Sequence, residues 1–297
     1  MTADRLAIAG HNPVSDYYNR NTGRFLRYGG GGQAAAIHRQ LWAPGVIDVN
    51  QAFLYANALV AQAIQPVLKS APEARLLDLG CGVGGTATWM AERIGAQVTG
   101  VTNSSVQVQL AQERAARLGL AQTCSFVQAD FLDLPDLGQF QAAWAIESFA
   151  HASDGYRFFQ QAASRLAEGG RLVLCDDFLS EEMRIGVSVE AATWVERFRR
   201  GWRLGNLYTP SQVDSLVRQF GLRLVQDYNL SSYLRPFSPG RMFLMNLLTN
   251  LPLRSAYWDN LTGGTALQVC QARGWVQYHL LVWEKSDPDP IGSYNQA

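Results

Sequence analysis

The apolar positions of this 297-residue chain change rhythm near residue 72. Before it, VNQAFLYANALVAQAIQPVL repeats apolar residues at helical spacing; from Ala74 onward, short apolar runs alternate with helical stretches, as βαβ units do. Seven runs read as strands: ARLLDLG, AQVTGVT, CSFVQAD, QAAWAIE, GRLVLCDD, LRLVQDY and WVQYHLLVWE. Among the first five lie GTATWMAERIG, SSVQVQLAQERAARLG and YRFFQQAASRLA, each long enough for a right-handed crossover between parallel strands. The pattern predicts an α/β fold, a doubly wound, seven-stranded and mostly parallel sheet. Residues 1–70 read as an N-terminal helical cap and 71–297 as the sheet domain. Between the fifth strand and the last, the chain spends about a hundred residues, more than one crossover needs. The aromatic helices VSVEAATWVERFRRGWRLG and GRMFLMNLLTNL lie there, so about 180–205 and 231–265 are expected to form a lid.

Composition narrows the partners. Lys+Arg and Asp+Glu balance at 25 each, which gives no field for a phosphate backbone, and nucleic acid is not expected. No stretch nears the roughly 18 apolar residues of a membrane span, and the start has no apolar core of secretory length. A cytoplasmic protein without membrane insertion is expected, and a homodimer is compatible with the chain. Cys81, Cys124, Cys175 and Cys270 stand far apart without metal-ligand spacing, so buried reduced thiols and no metal are expected.

The strongest local signal is LLDLGCGVGGTATWMAERIG, in which a strand ends at Asp78 and passes Gly80, Gly82, Gly84 and Gly85 into a helix. Glycines permit positive φ and a close ligand, and free N–H groups at the helix start favour electron-rich groups. A dinucleotide site would place a carboxylate about 20 residues beyond the glycines. That region reads GVTNSS instead, and the acid precedes the first glycine. Asp78 either meets a cationic ligand or caps the loop. Ser104 and Gln107 also spell a capping box, and Asp130 could simply form a turn.

LLDLGCGVGG, VTGVTNSSVQ, FVQADFLDLP, WAIESFAHASD and LAEGGRLVLCDDF together resemble the class I S-adenosylmethionine-dependent methyltransferases, in the branch of tocopherol, sugar-O-, prenyl diphosphate C- and cyclopropane-fatty-acid-type enzymes. The resemblance covers about residues 72–180. It implies S-adenosylmethionine as cofactor. Asp78, Gly80, Gly82 and Gly84 would surround its methionine part, Thr102 and Gln107 its ribose, and Asp130 with Phe131 its adenine. Tyr17, Tyr18 and Tyr28 could reach the methionine carboxylate or pack the cap. ESFAHASD resembles an ES-x-x-H-x-x-D stretch of the branch, with Glu147, His151 and Asp154 matching. In some sugar enzymes an extra histidine acts as base where this chain has Ala150, so the base stays open between Glu147 and His151. The bland alternative for Glu147 is a carboxylate capping the next turn.

The expected activity is methyl transfer to a hydrophobic small molecule, by O- or N-methylation of an aromatic or prenylated acceptor in specialised metabolism. A C-methyltransferase of a prenyl diphosphate is the alternative within the class. A non-catalytic nucleotide-binding module is the alternative outside it. His38, His279 and the Arg197, Arg199, Arg200, Arg203 run are weaker candidates, the arginines reading first as a solvated helix face.

Overall fold

The computed structural model describes residues 38–71, 73–249 and 256–286. The glycine run at 29–32 and the expected ligands Tyr17 and Tyr28 lie outside them. In chain order the elements are α1 (Val49–Ser70), β1 (Arg75–Leu79), α2 (Gly85–Ile94), β2 (Gln97–Thr102), α3 (Ser105–Arg117), β3 (Cys124–Gln128) and β4 (Phe140–Ile146). There follow α4 (Gly155–Ser164), β5 (Leu166–Leu179), α5 (Val189–Gly201), α6 (Pro210–Val217), β6 (Leu222–Asn229), α7 (Pro239–Thr249), α8 (Ala256–Ala272) and β7 (Val276–Lys285). All seven strands join one sheet in the order β3-β2-β1-β4-β5-β7-β6. β1 to β5 pair in parallel, and β7 runs antiparallel between β5 and β6. The strand order reverses between β1 and β4, and in such sheets a crevice opens there, beyond the strands' carboxyl ends.

Strand alternation assigns the two faces. Leu76, Trp144, Val173, Cys175 and Tyr278 pack against Ala56, Val60 and Ile64 of α1 and Met90 of α2. Their neighbours Leu77, Ala143, Ala145, Leu172 and Leu174 pack on the other face against Phe158 and Phe159 of α4 and Val213 and Val217 of α6. The last 22 residues of the segment expected as a cap are thus a helix of the sheet's own layer. Asp48 starts that helix, its carboxylate accepting the Gln51 N–H at 2.8 Å.

The long insertion carries helices α5, α7 and α8. α5 and α8 bury Phe198, Ala266, Leu267 and Cys270 between them. Gly201 and Gly263 let these two backbones touch, since a Cβ at either would overlap the other's main chain. Phe198 and Trp202 therefore serve this small core, edge to face at 5.8 Å. Arg199 and Arg200 pair with Glu196 on the exposed side, the solvated face expected of that run. The four cysteines are free and buried. Among the described residues, no helix is long and apolar enough to cross a membrane.

Candidate active site at the carboxyl edge of the sheet

Asp78 is the first group of the site because of where β1 places it. It stands beside Trp144 in the parallel register, on the face covered by α1 and α2, and is 3% exposed. Among the described residues its Oδ2 has no hydrogen-bond partner, and burial pushes its pKa up to about 7, with the nearby Trp144 indole N–H pulling the other way. No loop N–H reaches Oδ2 among the described residues.

The backbone then turns through positive φ at Gly80 (88°), Gly82 (53°) and Gly84 (76°) into α2. A Cβ on Gly80 would overlap Ser148, whose hydroxyl donates to the Leu79 carbonyl at 2.6 Å. Gly84 supplies no side-chain cap to α2, and no acidic residue stands in the helix's first turn. Gly85, Thr86 and Ala87 are buried there, and the first N–H groups of a helix lack intrahelical partners. A buried, uncapped helix start is a place for an anionic or electron-rich group.

Beyond β2 and β3 the expected ligands are tied to near neighbours. The Thr102 hydroxyl donates to Gln107 Oε1 at 2.6 Å, and the Gln107 N–H donates to Ser104 Oγ at 3.2 Å, so the capping interaction is present. Both Thr102 and Gln107 are buried beside the β2 tip. Asp130 Oδ1 accepts the Leu132 N–H at 2.9 Å, the turn former's role, while Phe131 packs edge to face on Phe158 at 5.3 Å. The loop Asp130–Phe131 is held in place with the aromatic ring beside it.

At the tips of β4, β5 and β7 the chain builds a different kind of site. Glu147 follows β4 with φ +48°, a left-handed conformation that a non-glycine residue adopts at a cost of about 1–3 kcal/mol. Its Oε1 accepts the Arg39 backbone N–H (2.8 Å), Arg39 Nε (3.3 Å) and the Tyr278 hydroxyl (2.9 Å). The capping alternative for Glu147 thus gives way to a long-range network. Arg39 also reaches Asp177 at 2.7 Å and lies 4.2 Å over the Tyr278 ring. Burial alone would lower the Arg39 pKa, but Asp177 and Glu147 outweigh it and keep the guanidinium charged. Burial lifts Asp177 to about 6 against the pull of Arg39. Asp176 faces the other side of the sheet, where it accepts the Ala150 N–H at 3.0 Å, and burial raises it to about 7.

His151 lies on the turn after Glu147, with Nδ1 3.4 Å from the Arg203 carbonyl. An Nδ1–H donated there places the lone pair on Nε2. Burial lowers its pKa, which keeps the ring neutral at pH 7. Asn206 fixes this turn by donating to the carbonyls of Phe149 (2.9 Å) and Ala152 (2.8 Å). His38 is buried near Glu147 and edge to face with Phe53, with burial lowering its pKa. His279 points elsewhere, pairing with Asp227 at 2.6 Å. The sequence reading missed Arg39 and Tyr278. Arg39 adjoins the noticed His38, and Tyr278 adjoins His279, but nothing local marks either as a partner of Glu147.

Residues 76–170 match a protein family described as a methyltransferase domain. The chain is 34% identical over 166 residues to methyltransferase GfsG of Streptomyces halstedii and 35% over 164 residues to 27-O-demethylrifamycin SV methyltransferase of Amycolatopsis mediterranei. These matches cover 56% and 54% of this chain and 58% of each relative, so the chain spans little more than half the length of the relatives it matches. Among solved structures, the [4+2]-cyclase SpnF superposes with a TM-score of 0.71 at 26% identity, covering 92% of this chain and 96% of that one. A geranyl diphosphate C-methyltransferase of Streptomyces coelicolor, holding S-adenosyl-L-homocysteine, superposes with a TM-score of 0.69 at 18% identity, covering 93% and 99%, which bears on the fold alone. The unsatisfied Asp78 carboxylate and the uncapped α2 start fit the ammonium and carboxylate of a methionyl group. Residues 76–170 are thus similar to a methyltransferase domain, set in a seven-stranded sheet of the Rossmann-like kind.

Proposed function

We propose that this protein is an S-adenosylmethionine-dependent methyltransferase acting on a hydrophobic small molecule, by O- or N-methylation of an aromatic or prenylated acceptor in specialised metabolism. The observation that carries the reading is Glu147, held in strained backbone by three donors at the tip of β4, across the strand-order reversal from the glycine loop. Bound S-adenosylmethionine supplies an electrophilic methyl group, and the protein's part is alignment, exclusion of water and handling of one proton. Three donors on Oε1 hold the Glu147 side chain in place, suited to face the positive charge of a sulfonium or of an acceptor being methylated. His151, neutral with its lone pair on Nε2, is the better base for an acceptor O–H or N–H. Thr102 and Gln107 would meet the ribose, and Asp130 with Phe131 the adenine. Helices α5, α7 and α8 would cover the acceptor.

The charge balance favours this acceptor class over a prenyl diphosphate. Glu147 and Asp177 stand together at the tips of β4 and β5, and Arg39, the cation beside them, is engaged by both. A diphosphate would have to displace these carboxylates from Arg39 to be neutralised there. The test is turnover with phenolic, indolic and prenyl diphosphate acceptors, each with magnesium and with a chelator. Chelator-insensitive methylation of a phenolic or indolic acceptor is expected. Chelator-sensitive methylation of a prenyl diphosphate would overturn the acceptor assignment. Conversion of an acceptor with S-adenosylmethionine bound but not consumed would overturn the reaction.

A further inference from the structure

His151 ends a short turn, Phe149–His151, that the chain grips from two sides. From the sheet, Asp176 Oδ2 accepts the Ala150 N–H. From the insertion comes Arg203–Asn206, the segment that follows α5. The Gly205 and Asn206 N–H groups both donate to the Ala150 carbonyl, at 2.9 and 3.1 Å. The buried Asn206 side chain donates through Nδ2 to the carbonyls of Phe149 and Ala152, one on each side of His151. A Cβ on Gly205 would overlap the carbonyls of His151 and Ala152, so so close an approach requires a glycine.

The same segment meets the imidazole. Arg203 has φ +55°, and among the described non-glycine residues only Arg203 and Glu147 are left-handed. Such a conformation persists where the surroundings over-determine it, and here the surroundings are the His151 turn. The Arg203 carbonyl stands 3.4 Å from His151 Nδ1. A carbonyl can only accept, so this contact selects the Nδ1–H tautomer and makes Nε2 the basic nitrogen. The segment is also tied back to α5, because the Leu204 N–H donates to the Arg199 carbonyl at 2.9 Å. Leu204 and Ala150 are buried together in the core that α5 forms with α8. The orientation of His151 is thus set by the insertion as well as by the sheet.

Resting on the reading of His151 as base, we propose that Asn206 is its positioning residue and the Arg203 carbonyl its tautomer lock. His151 then takes the acceptor's proton on Nε2 while Arg203–Asn206 is docked on its turn. Release of the segment frees the ring, so the helix proposed to cover the acceptor and the base that serves it work as one unit.

The test reads the imidazole directly. The full chain has four histidines, which makes nitrogen-15 labelling of histidine and two-bond proton–nitrogen correlation tractable, with His151 assigned by its loss in His151→Ala. With S-adenosylhomocysteine bound, wild type should carry the proton on Nδ1 of the neutral ring. Asn206→Ala should show a mixture of tautomers, and Asn206→Ser, which keeps one donor, an intermediate. Affinity for S-adenosylhomocysteine within about threefold of wild type checks that each variant is folded. With the phenolic or indolic acceptor of the turnover test, kcat should fall about 10–100-fold in Asn206→Ala. Added to His151→Ala, the same change should cost no more than about twofold further. A wild-type tautomer in Asn206→Ala, or losses that multiply in the double variant, would overturn the positioning role. Turnover at the wild-type rate by His151→Ala would overturn the base reading instead, and this inference with it, even with the proton found on Nδ1.

Discussion

The two halves of the carboxyl edge are built on opposite plans. On the side of β1, β2 and β3 the polar groups find partners within a few residues, as Thr102 does with Gln107 and Asp130 with Leu132. Among the described residues, Asp78 Oδ2 keeps no partner there and the start of α2 has no side-chain cap. On the side of β4, β5 and β7 the groups satisfy one another over long distances in sequence. Arg39 reaches Glu147 across 108 positions, and Tyr278 reaches it across 131. The first half is the one proposed above to hold the cofactor. The second is a charged network whose members depend on one another.

That difference ranks the effects of substitution. Arg39→Met removes the cation between two largely buried carboxylates and should cost about 3–5 kcal/mol of unfolding free energy by urea titration. The double variant Arg39→Met/Glu147→Gln should recover part of this loss. Strict additivity would mean that the two residues do not form a unit.

Gly80→Ala should cost about 2–5 kcal/mol, from its positive φ and the overlap with Ser148 together. It should also weaken S-adenosylhomocysteine binding, because the loop is displaced where the ligand lies. A Gly80→Ala protein with wild-type stability and affinity would mean that this turn tolerates a side chain.

The buried carboxylates set a pH dependence. Asp78 and Asp176 are raised by burial from 3.8 to about 7, so between about pH 4 and 7 the folded protein holds more protons than the unfolded chain. Their contribution to stability is fully present below about pH 4 and is lost as the pH rises through 7. The melting temperature of the ligand-free protein should therefore fall from pH 5 to pH 8. S-adenosylhomocysteine should bind more tightly over the same range, because its ammonium favours ionised Asp78. Affinity that falls with rising pH would contradict the placement of Asp78 at the ammonium.

Thr102→Val should have the smallest effect, about 1 kcal/mol, since it breaks one local hydrogen bond within the β2 turn. A loss as large as that at Arg39 would erase the distinction between the two halves.

The same contrast explains what could be read from the sequence. The seven strands were legible because two-residue alternation and crossover lengths are local properties. The glycine loop was legible because positive φ at Gly80, Gly82 and Gly84 forces one residue type into a short window. β5 begins earlier than GRLVLCDD suggests, because Leu166 pairs with Phe140 ahead of an irregularity in the ladder. That depends on a neighbouring strand and leaves no local mark. Glu147 and His151 stood out by their spacing, whereas Arg39 and Tyr278 acquire meaning only through tertiary contacts. Phe198 and Trp202, on a helix expected to form part of a lid, belong to the α5–α8 core because Gly201 and Gly263 bring those helices into contact.

The account as a whole rests on a methyl group passing from the cofactor half to the acceptor half. Incubation with S-adenosylmethionine labelled in its methyl group, with product and S-adenosylhomocysteine quantified together by mass spectrometry, follows that step directly. The account predicts one labelled methyl on an oxygen or nitrogen of the acceptor for each S-adenosylhomocysteine formed, with the yield collapsing in Glu147→Gln and His151→Ala. Product formed without label, or label transferred at wild-type rate by both variants, would contradict it.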